Sequence, residues 1–114
     1  DLQNIALKID PTNEGPIKTL SNTFLLLDDK ERAKELFEKL LESSPNSVSA
    51  LNNLGTIYYE EAINNPDNKE ALKKSIEYHK RLLEIKPEHT TAMRRMALGY
   101  FKLGDSQKAL NIFE

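Results

Sequence analysis

The stretch LNNLGTIY, from Leu51 to Tyr58, decides the fold. Its large apolar residues Leu51, Leu54 and Tyr58 stand at positions i, i+3 and i+7, which places them on one stripe of an α-helix. The same spacing occurs twice more, in Ile17, Leu20 and Phe24 and in Met93, Met96 and Tyr100. A stripe that occurs three times predicts a chain built from similar helical units.

Three prolines separate these units. Pro11, Pro45 and Pro87 each end an apolar helical run, because proline lacks the amide hydrogen that a helix interior requires. The prolines lie 34 and then 42 residues apart. The stripes and the closing prolines together predict tandem helix hairpins.

With these motifs the chain resembles the tetratricopeptide repeat family along its whole length. The middle unit carries the family's Leu-Gly and Tyr as Leu54-Gly55 and Tyr58. Its neighbours carry small and large ring-bearing residues at the family spacing: Ser21, Phe24, Ala33 and Phe37, then Ala97, Tyr100, Ala109 and Phe113. The resemblance implies an all-α fold, a solenoid of stacked antiparallel helix hairpins in a right-handed superhelix. It also implies a scaffold that binds other proteins and is not an enzyme.

The positions of the small residues have a physical explanation. Where two helices cross closely, a side chain larger than Ser or Ala would push them apart. Gly55, Ser21 and Ala97 are therefore expected at the crossings of the first helices, and Ala33 and Ala109 at those of the second helices. Met93 and Met96 are expected in the core.

The repeats predict a single array over residues 1–114. It comprises the tail of a preceding repeat at 1–13, a repeat at 14–47, a longer repeat at 48–89 and a truncated repeat at 90–114. Helices are expected near 1–9, 14–27, 30–43, 47–63, 67–85, 89–103 and 105–114. Because the sequence starts at Asp1 rather than at methionine, we expect it to be part of a longer protein, whose repeat number and flanking domains stay open.

The middle repeat is longer than its neighbours. From Tyr58 to Ser75 there are 17 residues, where the corresponding intervals in the other repeats have nine. Eight extra residues are about two helical turns, so one turn can be added to each helix without rotating either face. Asn64-Asn65-Pro66 would then break the first helix, and Asp67 with Glu70 resembles a capping pair for the second. The lengthened tip is either a tolerated insertion or an extra contact edge for a partner.

Composition excludes several other classes. The 16 basic and 18 acidic residues give a net charge of −2, which provides no field to gather nucleic acid. No apolar run approaches the roughly 20 residues of a membrane-spanning helix, and without cysteine there are no disulfides or thiolate metal sites. The compartment stays unknown, with the cytoplasm favoured, and so does the oligomeric state.

The sequence predicts no catalytic, metal or cofactor site. His79 is expected to pack against a helix where the neighbouring repeats carry Phe, and His89 lies in a turn, so the two do not form a metal-ligand pair. The carboxylate pairs Asp28-Asp29 and Glu60-Glu61 are interpreted as a helix start and a solvated helix face. Phosphate loops and nucleophile elbows are absent from the sequence.

Family resemblance implies that the first helix of each hairpin lines a concave groove that binds partners. The inward stripe predicts twelve peptide-binding residues: Lys18, Asn22, Leu25, Asn52, Asn53, Thr56, Tyr59, Thr91, Arg94, Arg95, Leu98 and Phe101. Amides, cations and a few apolar side chains suit an extended or helical peptide that carries acidic groups.

A second resemblance concerns co-chaperones that clamp the acidic C-terminus of heat-shock proteins between amides and cations. Lys18, Asn22, Asn53 and Arg95 match four positions of that clamp, whereas Thr91 stands where a lysine is expected. Three functions therefore stay open: a scaffold for a peptide or helix, a carboxylate clamp, and a structural subunit or spacer in a multiprotein assembly.

Overall fold

The computed structural model describes residues 14–112 of the chain, which form six α-helices and, within that range, no strand. They are α1 Glu14–Leu26, α2 Lys30–Ser43, α3 Val48–Asn64, α4 Lys69–Ile85, α5 Thr90–Lys102 and α6 Ser106–Asn111. These are six of the seven predicted helices. The predicted helix near 1–9 lies outside the described residues, as does Phe113.

The chain divides into two compact units, Asp1–Ala50 and Leu51–Glu114. In the first, α1 and α2 pack as a hairpin whose core includes Phe24, Ala33 and Phe37, all at most 2% exposed. Ser21 is fully buried and donates its hydroxyl hydrogen to the carbonyl of Ile17, 2.7 Å away, so its polar atom is satisfied within α1.

A tight turn joins α1 to α2. Asp28 adopts a positive φ of 59°, a conformation that Asp tolerates better than most residues. Asp29 then accepts a hydrogen bond from the amide of Arg32 at 3.2 Å and caps α2. The interpretation of Asp28-Asp29 as a helix start is confirmed.

In the second unit, the hairpin of α3 and α4 is longer. Both helices have 17 residues, and the turn between them falls at Asn65–Asn68. Helix α3 ends one residue past the predicted Ile63, and α4 begins at Lys69, two residues after the predicted start at 67. The division of the array into repeats stays a prediction.

The N-cap residue of α4 differs from the one predicted from the sequence. Asn68, not Asp67, is the N-cap, and its side chain accepts a hydrogen bond from the amide of Ala71 at 3.1 Å. The predicted pairing of Asp67 with Glu70 is wrong because Asn68 takes over as N-cap, which starts the helix two residues later than expected.

The crossing of α3 and α4 depends on a histidine and a glycine. A Cβ placed on Gly55 would lie 2.6 Å from the ring of His79, which is fully buried. Ser75 donates its hydroxyl hydrogen to the carbonyl of Gly55 at 2.8 Å, and the rings of Tyr58 and Tyr78 stack 5.9 Å apart beside this contact. The expectation that only a small residue fits at Gly55 is confirmed.

Helix α5 packs on α4 through a second glycine. A Cβ on Gly99 would lie 2.7 Å from Cγ1 of Ile76, so this close approach also excludes a side chain. Ala97 is buried as predicted, whereas Met93, Met96 and Ala109 are only half-buried rather than core.

Candidate functional site

Helix α5 presents a basic and partly apolar surface in the second unit. It carries Arg94, Arg95 and Lys102 and no acidic residue. On the same helix, the large apolar side chains of Leu98 and Phe101 are 41% and 63% exposed. A helix that combines large exposed apolar side chains with cations and no acidic residue is typical of a binding surface.

An apolar cavity of about 220 Å³ opens on this face. It is lined by Arg94, Ala97, Leu98, Phe101, Ala109 and Leu110, from α5 and α6, and we refer to it as the α5 pocket. Three of these residues, Arg94, Leu98 and Phe101, were predicted as binding residues. A cavity of about 150 Å³ accommodates a benzene ring, so the α5 pocket has room for one large side chain.

Arg95 points elsewhere and connects α5 to α3. Its guanidinium donates to the hydroxyl oxygen of Thr56, and Thr56 in turn donates to the carbonyl of Asn52 at 2.8 Å. Within residues 14–112 no carboxylate forms an ion pair with Arg95, so its charge is held in place but not neutralised. The structure thus brings together two of the predicted residues, Arg95 and Thr56.

The remaining predicted residues of α3 and α5 are half-buried. They are Asn52, Asn53, Tyr59 and Thr91. The side-chain oxygen of Asn52 is buried and accepts no hydrogen bond from any described residue. A buried acceptor without a donor costs free energy, and this oxygen has no accessible surface through which a ligand could reach it.

The predicted residues of α1 belong to the other compact unit. Lys18 and Leu25 are half-buried, and Asn22 is exposed. The four residues of the predicted clamp are therefore shared between the units, Lys18 and Asn22 in the first and Asn53 and Arg95 in the second. The clamp stays a prediction.

Both histidines have structural roles, His79 in the core and His89 as a helix cap. Burial lowers the pKa of His79 from 6.5 to about 4, although the hydrogen bond of its Nδ1 to the Ser75 carbonyl, 3.0 Å long, opposes the shift. His89 caps α5 by accepting from the amide of Ala92 at 3.1 Å. No group of three or more potential ligands for a metal ion occurs in the described part of the chain.

Sequence reasoning missed part of the α5 pocket. Ala97 and Ala109 were interpreted only as helix-crossing residues, and Leu110 was not singled out, although it is 61% exposed. The available signal was a leucine directly after the small residue of the second helix. Its exposure depends on what packs against α6, which a single repeat pattern does not specify.

Comparison with known proteins supports the predicted resemblance. Residues 20–47 match the family model of the tetratricopeptide repeat. No curated protein sequence matches the chain. Tetratricopeptide repeats present surfaces that bind other proteins, so this match supports a protein–protein interaction scaffold.

One solved structure shows the same fold. A crystal structure of MamA protein has a TM-score of 0.76 and 21% sequence identity to this chain, and it covers 91% of this chain and 52% of that chain. A second crystal structure of MamA covers 97% of this chain and 80% of that chain, with a TM-score of 0.45 and 20% identity. This chain therefore spans about half the length of the first MamA chain, and the predicted fold class, an all-α solenoid of the tetratricopeptide type, is confirmed. None of the helices within residues 14–112 has the length and apolar character to cross a membrane.

Proposed function

We propose that this chain is a scaffold that binds a peptide or helix of a partner protein through the exposed face of α5. The observation that carries the proposal is the α5 pocket, in which Leu98 and Phe101 remain exposed beside the cation Arg94. Burying large apolar side chains of this kind is a main source of affinity at protein interfaces.

The chemistry of the face specifies the kind of ligand. A large apolar side chain of the partner fills the α5 pocket, and a carboxylate next to it in the ligand pairs with Arg94. The Arg95 guanidinium on the predicted inward stripe provides a further polar contact to the ligand. An amphipathic helix or extended peptide with acidic residues satisfies these requirements.

A pair of matched substitutions tests this proposal. Peptides are selected from a random phage-displayed library on the immobilised chain, and their affinity is measured by fluorescence anisotropy. Phe101→Ser should weaken binding by roughly ten-fold or more, since it removes a buried ring from the interface. Leu27→Ser is the control, because Leu27 has the same exposure of 63% but lies in the α1–α2 turn. Equal affinity of both variants for every selected peptide would contradict the proposal.

The carboxylate clamp is the second candidate. It is favoured by Arg95, whose guanidinium is oriented by Thr56 but has no carboxylate partner among the described residues. In this alternative Lys18, Asn22, Asn53 and Arg95 hold the terminal and side-chain carboxylates of an acidic C-terminal peptide, as in the co-chaperones. Thr91 stands where the clamp would have its second lysine, so one cation is missing.

Free-acid and amidated forms of one acidic peptide separate the two candidates. The clamp predicts that amidation and Lys18→Ala each weaken binding by roughly ten-fold, because each removes a charge-assisted hydrogen bond. Thr91→Lys should strengthen it. Equal binding of the two forms leaves only the general scaffold.

A structural role in a multiprotein assembly is the third candidate. It is favoured by Leu110, which is 61% exposed next to the half-buried Ala109 on α6. Such a face allows another helical hairpin to stack against it. Analytical ultracentrifugation of the wild type and of Leu110→Lys tests it: a monomer in both cases argues against self-stacking.

A further inference from the structure

A second cavity lies at the tip of the long hairpin, on the same compact unit as the α5 pocket but lined by different residues. It has a volume of about 180 Å³ and is lined by Ala62, Ile63, Pro66, Lys69, Leu72 and Lys102. These residues come from the end of α3, the following turn, the start of α4 and the end of α5. We refer to this cavity as the tip pocket.

The long hairpin itself creates the tip pocket. Five of its six lining residues fall between Tyr58 and Ser75, the interval that has 17 residues here and nine in the other repeats. A hairpin of ordinary length would end before the position of Ile63 and Pro66. The extra turns therefore add a concave surface that the other repeats cannot form.

The backbone around the tip pocket is well fixed by hydrogen bonds. The amide of Asn65 donates to the Glu61 carbonyl at 3.0 Å, and the amide of Asn68 donates to the Asn65 carbonyl at 2.9 Å. The side chain of Asn68 caps α4 on Ala71. A ligand thus meets a preformed pocket and loses little affinity to ordering it.

The inner wall of the tip pocket is apolar. Ala62 and Leu72 are buried at 6% and 5% exposure, whereas Ile63 is 47% exposed at the opening. A cavity of about 150 Å³ accommodates a benzene ring, so the tip pocket has room for a Phe or Leu side chain.

The rim of the tip pocket is positively charged. Lys69 and Lys102 line it, no acidic residue does, and neither lysine forms an ion pair within the described residues. The acidic residue nearest in sequence on α4, Glu70, is paired with Lys73 at 3.7 Å. Of the acidic residues nearby in sequence, Glu60 and Glu61 have their own partners, and Asp67 is exposed in the turn.

We propose that the tip pocket is a second protein-binding site, which takes one large apolar side chain of a partner segment flanked by carboxylates. The apolar side chain lies against Ala62, Ile63 and Leu72, and the flanking carboxylates pair with Lys69 and Lys102. The proposal rests on this charge complementarity and on the hairpin geometry, and it is independent of binding at the α5 pocket. It gives the long hairpin a function as a contact edge.

The test is an NMR titration of the full 114-residue chain with the blocked peptide acetyl-EEFDE-amide. Amide shifts should change at Ala62, Ile63, Lys69, Leu72 and Lys102 and follow a single binding curve. The peptides acetyl-KKFKK-amide and acetyl-EESDE-amide, which lack the carboxylates or the ring, should each bind roughly ten-fold more weakly or not at all. Shift changes confined to residues 94–101 would place the peptide at the α5 pocket and overturn the proposal.

Charge-reversal variants provide the second arm of the test. The double variant Lys69→Glu with Lys102→Glu should weaken binding by roughly five-fold or more, since two attractive contacts become repulsive. The control, Lys80→Glu with Lys86→Glu, changes the net charge equally at exposed lysines that do not line the pocket and form no ion pair among the described residues. If both double variants weaken binding equally, only the overall charge matters and the proposal is overturned.

Phe101→Ser separates this site from the proposed function. It should leave the affinity of acetyl-EEFDE-amide and its shift changes at the tip unchanged. Ile63→Ser should abolish them while α5-directed peptides still bind. If Phe101→Ser abolishes binding and Ile63→Ser has no effect, the tip pocket is not a binding site.

Discussion

Helices α1 and α2 are 13 and 14 residues long, whereas α3 and α4 each have 17. Each hairpin has a small residue on its first helix and another on its second helix. A residue with a ring follows four positions after the small residue of the second helix. In α1–α2 the first small residue and the ring are Ser21 and Phe37, while in α3–α4 they are Gly55 and His79. The repeat pattern tolerates both a change of length and a polar ring.

The two crossings differ in how their polar groups are satisfied. Ser21 bonds within its own helix, to the carbonyl of Ile17, so its hydroxyl does not tie the helices together. Ser75 instead bonds across the hairpin to the carbonyl of Gly55, and His79 bonds back to Ser75. The long hairpin therefore has a buried polar link where the short one has an apolar core, and polar links of this kind demand well-defined geometry.

Among changes to the long hairpin, the largest expected effect comes from closing the space at Gly55. Gly55→Leu should reduce the free energy of unfolding by about 3 kcal/mol, because even its Cβ meets the His79 ring. Urea denaturation followed by circular dichroism measures this. In the double variant Gly55→Ala with His79→Ala the cost of Gly55→Ala should largely disappear. If Gly55→Ala destabilises the His79→Ala variant as much as the wild type, the His79 ring is not what excludes a side chain at Gly55.

The next effect is a dependence of stability on pH, which arises from His79 in the long hairpin. The pKa of His79 is lowered from 6.5 to about 4 in the folded protein, so between these values the unfolded chain binds the extra proton. The contribution of His79 to stability is therefore complete above pH 6.5 and is lost as the pH falls toward 4, by roughly 2–3 kcal/mol. Denaturation at several pH values measures it.

His79→Phe, which gives the long hairpin the residue of the short one, is the control. This variant should lose most of the pH dependence between 4 and 6.5. If it retains the full slope, another group is responsible.

Much of the fold could be predicted because local signals determine it. The stripes and prolines gave helix bounds close to those observed, such as Lys30–Ser43 for α2. The choice of Asn68 over Asp67 as cap was missed because either residue can accept from the helix amides. The Arg95–Thr56 contact was missed because it joins residues 39 apart in sequence, and long side chains choose partners only in the folded state.

A smaller effect tests that corrected cap. Asn68→Ala should destabilise the protein by about 1 kcal/mol, since it leaves the amide of Ala71 without its side-chain acceptor. Asp67→Ala is the neighbouring control and should change stability by less than about 0.5 kcal/mol. Thermal or urea unfolding measures both. A larger loss for Asp67→Ala would restore the cap expected from the sequence.

The smallest expected effect on stability concerns the exposed face of α5. Phe101→Ser should leave the unfolding free energy within about 0.5 kcal/mol of the wild type, because the ring is 63% exposed. By contrast, Phe37→Ala should reduce the free energy of unfolding by about 3–5 kcal/mol, because Phe37 is fully buried in the short hairpin. If Phe101→Ser greatly reduces the free energy of unfolding, the Phe101 ring stabilises the fold and is not a free binding surface.

Site-specific photo-crosslinking tests the binding function most directly. Benzoylphenylalanine is incorporated in place of Phe101 or of Leu27, which are equally exposed at 63%, in cells that produce the protein. The account predicts that irradiation links the Phe101 position to another protein and that the Leu27 position gives no such product. Equal products from both positions, or a product from Phe101 that contains only a second copy of this chain, would contradict it.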